Sequence, residues 1–238
     1  MDAYEERNGI LGYRQMTIKL KREHMLNVNP KRIYRLMKIL GLKSVCRRKR
    51  KNYIKSKPDF VAQNILNREF SADSFGEKWL TDVTEMKYGY GNESKAYLSA
   101  ILDLGDKSIV SFVLGHSNNN ELVFKTFDIA HKGHPKVKPI FHSDRGYQYT
   151  NKHFKKKIDD AGMIQSMSRV SRCIDNGPME AFWGMMKTEM YYIKKFNSYN
   201  ELEEAVIEYI DYYNNRRYQK RLKCMTPMEY RRYLMNVA

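Results

Sequence analysis

From residue 12 to residue 40 the apolar positions recur every three or four residues. "GYRQMTIKLKRE" places Tyr13, Met16 and Leu20 on one side of a short helix. Asn29 and Pro30 then read as an N-cap and a first-turn proline. "PKRIYRLMKIL" sets Ile33, Leu36, Met37 and Leu40 on one stripe, and Gly41 stops it. Residues 52–75 lose this rhythm and read as a linker holding one short helix near "DFVAQNIL". Three strand-length apolar segments follow, "KWLTDVTEMKY", "AYLSAILDLG" and "SIVSFVLGHS", parted by polar or glycine breaks that suit an antiparallel meander. A helix around 119–131 turns Val123, Phe127 and Ala130 inward. "VKPIFHSD" is a fourth strand, "TNKHFKKKIDDAG" a helix from a Thr cap to a Gly stop, and "MIQSMS" a fifth strand.

The last third is helical. Asn176 or Gly177 caps a helix starting at Pro178, whose stripe is Met179, Phe182, Trp183, Met186 and Met190. Ser198 and Glu201 form a capping box ahead of Leu202, Ala205, Val206, Tyr209, Ile210 and Tyr213, and Thr226, Pro227 and Glu229 open another helix. The order predicts an α/β protein, a mixed five-stranded sheet covered by helices. It divides into a helical module over 1–51, the linker, a core over 76–195 and C-terminal helices over 196–238.

Charge changes the picture at the front. Lys and Arg number 43 against 27 Asp and Glu, and residues 1–57 hold 17 of the basic and only 4 of the acidic side chains. A basic helical pair attached to a nearly neutral body suits a helix-turn-helix on duplex DNA. Lys31, Arg32, Arg35 and Lys38 lie off the apolar stripe of its second helix. Arg47, Arg48, Lys49 and Arg50, in "RRKRK", suit backbone phosphates or a charged linker equally. Three scattered cysteines without a C-x-x-C pair speak against a disulfide framework and for a reducing compartment. No apolar run reaches the ~18 residues of a membrane span, so a cytoplasmic protein associated with the nucleoid is expected.

Three acids stand out. Asp144 ends the strand in "FHSDRGYQY", where turn chemistry and metal binding are both open. Asp82 shares a strand face with Leu80 and Thr84, and an unpaired carboxylate inside a strand is costly unless that face meets solvent. Glu180, off the apolar stripe of its helix, complements the helix dipole or faces a site. Exactly 35 residues separate Asp144 from Glu180. Asp103 is explained by a turn, Asp175 by bracing the following helix, and Glu85 points away from Asp82.

"WLTDVT", "HSDRGYQY" and "DNGPMEAFWGMMKTE" together resemble the D,D(35)E core of insertion-sequence transposases of the IS-three family, specifically the second reading-frame product, in the retroviral integrase superfamily. "YYNNRRYQKRLKCMTPMEY" resembles that family's C-terminal signature, and "GYRQMTIKLKRE" with "NPKRIYRLMKILGL" its helix-turn-helix. The similarity spans about residues 10 to 235. It implies a ribonuclease H-like catalytic core in which Asp82, Asp144 and Glu180 are the catalytic acids and ligands of two Mg²⁺ ions, with Mn²⁺ able to substitute. Hard oxygen ligands suit those ions. It further implies metal-dependent strand cleavage and 3′-OH strand transfer at element ends, by in-line phosphoryl transfer without a protein nucleophile. Double-stranded DNA, both terminal inverted repeats and target, is the expected partner. A homo-oligomer on DNA and the first reading-frame protein are the others.

Lys187 is a candidate phosphate contact or an ordinary surface lysine. Arg216 and Arg217 line a DNA channel or cover a helix. His142 receives no role. A plain nuclease and a shortened DNA-binding regulator or inhibitor of transposition, without catalysis of its own, are the competing expectations.

Overall fold

The computed structural model describes residues 2–46, 62–169 and 173–237. Helices α1 (Asp2–Glu5), α2 (Tyr13–His24) and α3 (Pro30–Ile39) open the chain. The Asn29 side chain accepts from the Lys31 N–H at 2.8 Å, so the expected N-cap forms ahead of Pro30. Leu11, Met16, Ile33 and Met37 make a small core for this unit. Leu36 and Leu40, expected on the same stripe, are exposed. With essentially one helix to pack against, α3 buries only the positions that meet α2.

Five strands form one sheet in the order β3-β2-β1-β4-β5. β1 (Lys78–Tyr88), β2 (Ser94–Asp103) and β3 (Ile109–Gly115) make the expected antiparallel meander. β4 (Ile140–Ser143) adds parallel to the free side of β1, and β5 (Ile164–Met167) adds parallel to β4. Parallel strands need a crossover. Helices α4 (Asn120–Gly133) and α5 (Lys152–Asp160) lie in the two crossovers.

The helices α6 (Gly177–Met186), α7 (Tyr199–Asn215) and α8 (Pro227–Val237) complete the fold. One face of the sheet, through Leu80, Leu98, Ala100 and Leu102, packs on Met179, Phe182 and Met186 of α6 and Val206 and Tyr213 of α7. The other, through Trp79, Ile101 and Phe141, packs on Val123 and Phe127 of α4 and Phe154 and Ile158 of α5. Burying each such side chain is worth roughly 1.5–3 kcal/mol, so the sheet is clamped from both sides.

Several local details depart from the sequence reading. Residues 62–65 carry no helix, and positions 59–61 of the expected linker helix lie outside the described residues. The Ile65 and Leu66 N–H groups instead donate to Ser166 Oγ at 3.0 and 3.1 Å, so this segment is held against the end of the sheet. Asn151, not Thr150, caps α5: its side chain accepts from the His153 N–H at 2.8 Å, while the Thr150 hydroxyl donates to the Tyr147 carbonyl. α6 starts at Gly177, and Asn176 makes no capping bond with its side chain. The N-caps of α7 and α8 both form: Ser198 Oγ accepts from the Glu201 N–H, and Thr226 and Glu229 exchange reciprocal bonds.

Asp103 ends β2 where the strand meets a turn, as expected. It accepts from the N–H groups of Gly76, Gly105 and Asp106 and from the Trp79 indole at 3.0 Å. A Cβ on Gly105 would lie 2.1 Å from the Ser74 carbonyl oxygen, so only glycine permits that close crossing. Among the described residues no helix is long and apolar enough to cross a membrane.

Candidate active site

Leu80 of β1 pairs with His142 of β4 in parallel register. Asp82 and Asp144 therefore stand at matching positions, each two residues beyond that pair on neighbouring strands. Parallel neighbours run ~4.8 Å apart, so the register brings the two acids to one end of the sheet. Asp82 shares the strand face of Leu80, which looks onto α6. From that helix the Trp183 indole donates to Asp82 Oδ2 at 3.0 Å. The solvent-facing alternative for Asp82 is thus set aside.

Asp144 is fixed by its own turn. Gly146 N–H donates to its Oδ1 at 2.8 Å. Beneath it, His142 is fully buried between Ser166 Oγ at 2.9 Å and Ser168 Oγ at 3.1 Å. Ser166 already accepts two backbone N–H bonds, so its hydroxyl hydrogen goes to Nδ1 of His142. Nε2–H then donates to Ser168, whose hydroxyl reaches the Ser143 carbonyl. Burial pushes the imidazole down to about 4, so it stays neutral and acts as a brace across β4 and β5.

Glu180 lies half-buried in the first turn of α6. Two neighbours set where that turn sits. Asp175 is fully buried and ion-paired with Arg68 at 2.7 Å and Arg169 at 2.9 Å, with Asn64 Nδ2 at 3.1 Å. Asn176 Nδ2 donates to the Thr81 carbonyl at 3.1 Å, beside Asp82. Asp175 therefore braces the helix, as expected, and Glu85 pairs with Lys95 at 3.0 Å away from the acids.

Electrostatics ties the three acids together. The Asp82 carboxyl is raised to about 7, first by burial, then by the charge of Asp144, and to a smaller degree by that of Glu180. Val83 N–H and the Trp183 indole oppose the rise. Asp144 is also raised, by burial, against the Gly146 N–H. Among the described residues no group of three or more His, Cys, Asp or Glu side chains is gathered closely enough to enclose an ion. The donor set is all oxygen, which fits Mg²⁺ or Mn²⁺ and not zinc.

The basic residues divide. Lys31, Arg32, Arg35 and Lys38 are all exposed on α3. Arg47, Arg48, Lys49 and Arg50 lie outside the described residues. Lys187 opens a wide helical turn (Lys187–Tyr191) continuing α6, and its Nζ donates to the Glu85 carbonyl at 3.1 Å. Arg216 is exposed and pairs with Asp211 at 2.6 Å. Arg217, offered with it for a DNA channel, is buried against Glu189 at 2.6 Å, so that role is corrected to a structural one.

Three features escaped the sequence reading. The polar tip of Trp183 was hidden inside an apolar stripe. The His142 relay needs Ser166 and Ser168 from another strand. The Asp175 cluster joins residues more than a hundred positions apart, and no local signal marks it.

Family models describe the same parts. An integrase core domain matches residues 73–173 and again 180–234, and an HTH-like domain matches residues 1–50. The chain is 39% identical over 231 residues to InsK of Escherichia coli (strain K12), named as a transposase for insertion sequence element IS150, covering 97% of this chain and 80% of that one. It is 38% identical to an uncharacterized transposase-like protein of Haemophilus influenzae, covering 93% of this chain and 100% of that one. Among solved structures, the magnesium complex of the HTLV-2 integrase catalytic core superposes with a TM-score of 0.53 at 17% identity, over 66% of this chain and 97% of that one. At that identity the likeness establishes the ribonuclease H-like integrase-core fold alone. The register that aligns Asp82 with Asp144, the HTH-like segment and the relatives agree: the chain belongs to the integrase-core transposases of insertion sequences, consistent with the IS-three family.

Proposed function

We propose that this protein cuts DNA at insertion-sequence ends and joins the freed 3′-OH to a new strand, with Asp82, Asp144 and Glu180 as the acids that hold two Mg²⁺ ions. The reading is supported by the β1–β4 register, which sets Asp82 beside Asp144, and by the Asp82 carboxyl, raised to about 7 first by burial and then by the charges of Asp144 and Glu180. A site built from repelling carboxylates is unfavourable by itself and becomes favourable when a divalent ion binds. Bound there, the metal supplies activation of the attacking oxygen and stabilisation of the leaving 3′ oxygen in an in-line displacement.

The protein's own residues do the rest. The β1–β4 register aligns two ligands, α6 brings the third, and the neutral His142 and the Asp175 cluster keep both frameworks from shifting. Residues 1–51, with Lys31, Arg32, Arg35 and Lys38 on α3, act as the DNA-binding module. Arg47 to Arg50, Lys187 and Arg216 are further phosphate contacts in this proposal. The HTLV-2 relative by fold was solved with magnesium, which supports the choice of ion. A homo-oligomer on DNA and the first reading-frame protein complete the proposed assembly.

The test is a reaction on supercoiled donor DNA carrying both element ends. Nicked and joined products with Mg²⁺ or Mn²⁺, and none in EDTA, are expected. Tight binding to the ends without nicking in either ion would identify a DNA-binding regulator instead.

A further inference from the structure

We infer that Trp183 is a positioning residue for the metal site, fixing Asp82 as a ligand that offers one oxygen. Three observations carry this. The indole nitrogen lies 3.0 Å from Asp82 Oδ2. Trp183 is 6% exposed and its ring packs on Phe182 at 5.1 Å, so the donor cannot swing away. It also sits three residues after Glu180, about one turn along α6. One helix thus delivers both an acid and the group that orients the acid opposite.

A carboxylate with two unengaged oxygens rotates about its terminal bond and can chelate one ion with both. The indole bond to Oδ2, together with the Val83 N–H that also bonds this carboxylate, favours one rotation of Asp82 toward a cation. Groups that orient metal ligands in this way typically govern affinity by 10- to 100-fold. Phenylalanine would fill nearly the same volume in the core but has no N–H, so the donor and the packing are separable by a single substitution.

The inference rests on the proposed reading of Asp82 as an ion ligand, and the experiment separates the two. Mn²⁺ binding to the DNA-free protein is measured by electron paramagnetic resonance for wild type, Asp82→Asn and Trp183→Phe, with melting curves to confirm folding. Trp183→Phe is expected to weaken binding roughly 10-fold and to raise by a similar factor the metal concentration that gives half-maximal joining. Asp82→Asn is expected to abolish binding.

Equal Mn²⁺ affinity in wild type and Asp82→Asn would overturn the ligand reading itself. Loss in Asp82→Asn with unchanged affinity in Trp183→Phe would overturn only the positioning role. Should Trp183→Phe fail to fold, the wild type still decides, because the chain has only two tryptophans. Mg²⁺ is expected to shift the indole N–H resonance of Trp183 and leave that of Trp79, bonded to Asp103, in place. An unmoved Trp183 resonance at ion concentrations that support joining would overturn the proposal.

Discussion

The side-chain amide of Asn176 donates to the carbonyl of Thr81 at 3.1 Å, joining the residue before α6 to the residue before Asp82. The same amide's oxygen is buried with no hydrogen-bond partner among the described residues. Asn176→Ala is expected to cost about 1 kcal/mol in a denaturant melt. It should lower strand joining far more, roughly 10- to 100-fold, because small misplacements of reacting groups are costly. Affinity for element-end DNA, measured in parallel, should be unchanged.

Asp175 makes a pH-dependent contribution. The Arg169 guanidinium beside it holds its carboxyl well below the usual carboxylate range, against the effect of burial. A depressed value means stability that is fully present above the unfolded value of about 4 and is lost as pH falls below it. Asp175→Asn is expected to lower stability by about 2–3 kcal/mol at pH 7, the exposure of both arginines discounting the pair. Its melting temperature should also flatten between pH 5 and 3 (about the range set by that unfolded value), where that of the wild type drops.

Asp82 shows the opposite sign. Its carboxyl is raised to about 7, so ionising it costs the folded state stability. That cost is absent below the unfolded value of about 4, grows as pH rises and levels off above the folded value. Without added metal, Asp82→Asn is therefore expected to melt a few degrees higher than wild type at pH 8 and equally at pH 4 (roughly the unfolded value). Millimolar Mg²⁺ should raise the wild-type melting temperature and leave that of the variant unchanged.

The wide turn after α6 is secured by Arg217, which pairs with Glu189, while Glu189 also accepts from the Tyr209 hydroxyl at 3.0 Å. Removing one member strands the other charge in the core. Arg217→Met alone is expected to cost about 3–5 kcal/mol. Arg217→Met with Glu189→Leu should recover most of that loss, since paired apolar replacements of buried ion pairs are tolerated.

On α3, Arg35 is exposed and free of the small core. Arg35→Ala should weaken binding to end DNA and reduce the slope of log affinity against log salt by about 1, with no change in melting temperature.

Much of this was readable from residue order because it depends on short-range rules. Alternation put Asp82 on the strand face of Leu80, and the order of strands and helices pointed to a mixed five-stranded sheet; that the face meets α6 is visible only in the fold. Asn29, Ser198 and Thr226 cap where their chemistry predicts. What was not readable depends on distant partners. Leu36 and Leu40 fit a helical stripe, but whether a stripe is buried depends on how much of a neighbouring helix it meets. Thr150 and Asn151 can both cap, and it is Asn151 whose oxygen meets the first turn, at the His153 N–H. Residues 62–65 carry no helix, and the Ile65 and Leu66 N–H groups are taken by Ser166, about a hundred positions on. Trp183 looked like core alone, because an indole's donor matters only when something faces it.

The convergence of Asp82, Asp144 and Glu180 on a shared pair of ions is tested most directly by anomalous diffraction from crystals grown with Mn²⁺ and element-end DNA. Two manganese peaks roughly 3.5–4 Å apart, bounded by oxygens of all three side chains, are the predicted result. Manganese held by other residues, or the three carboxylates remaining apart with the metal present, would contradict it.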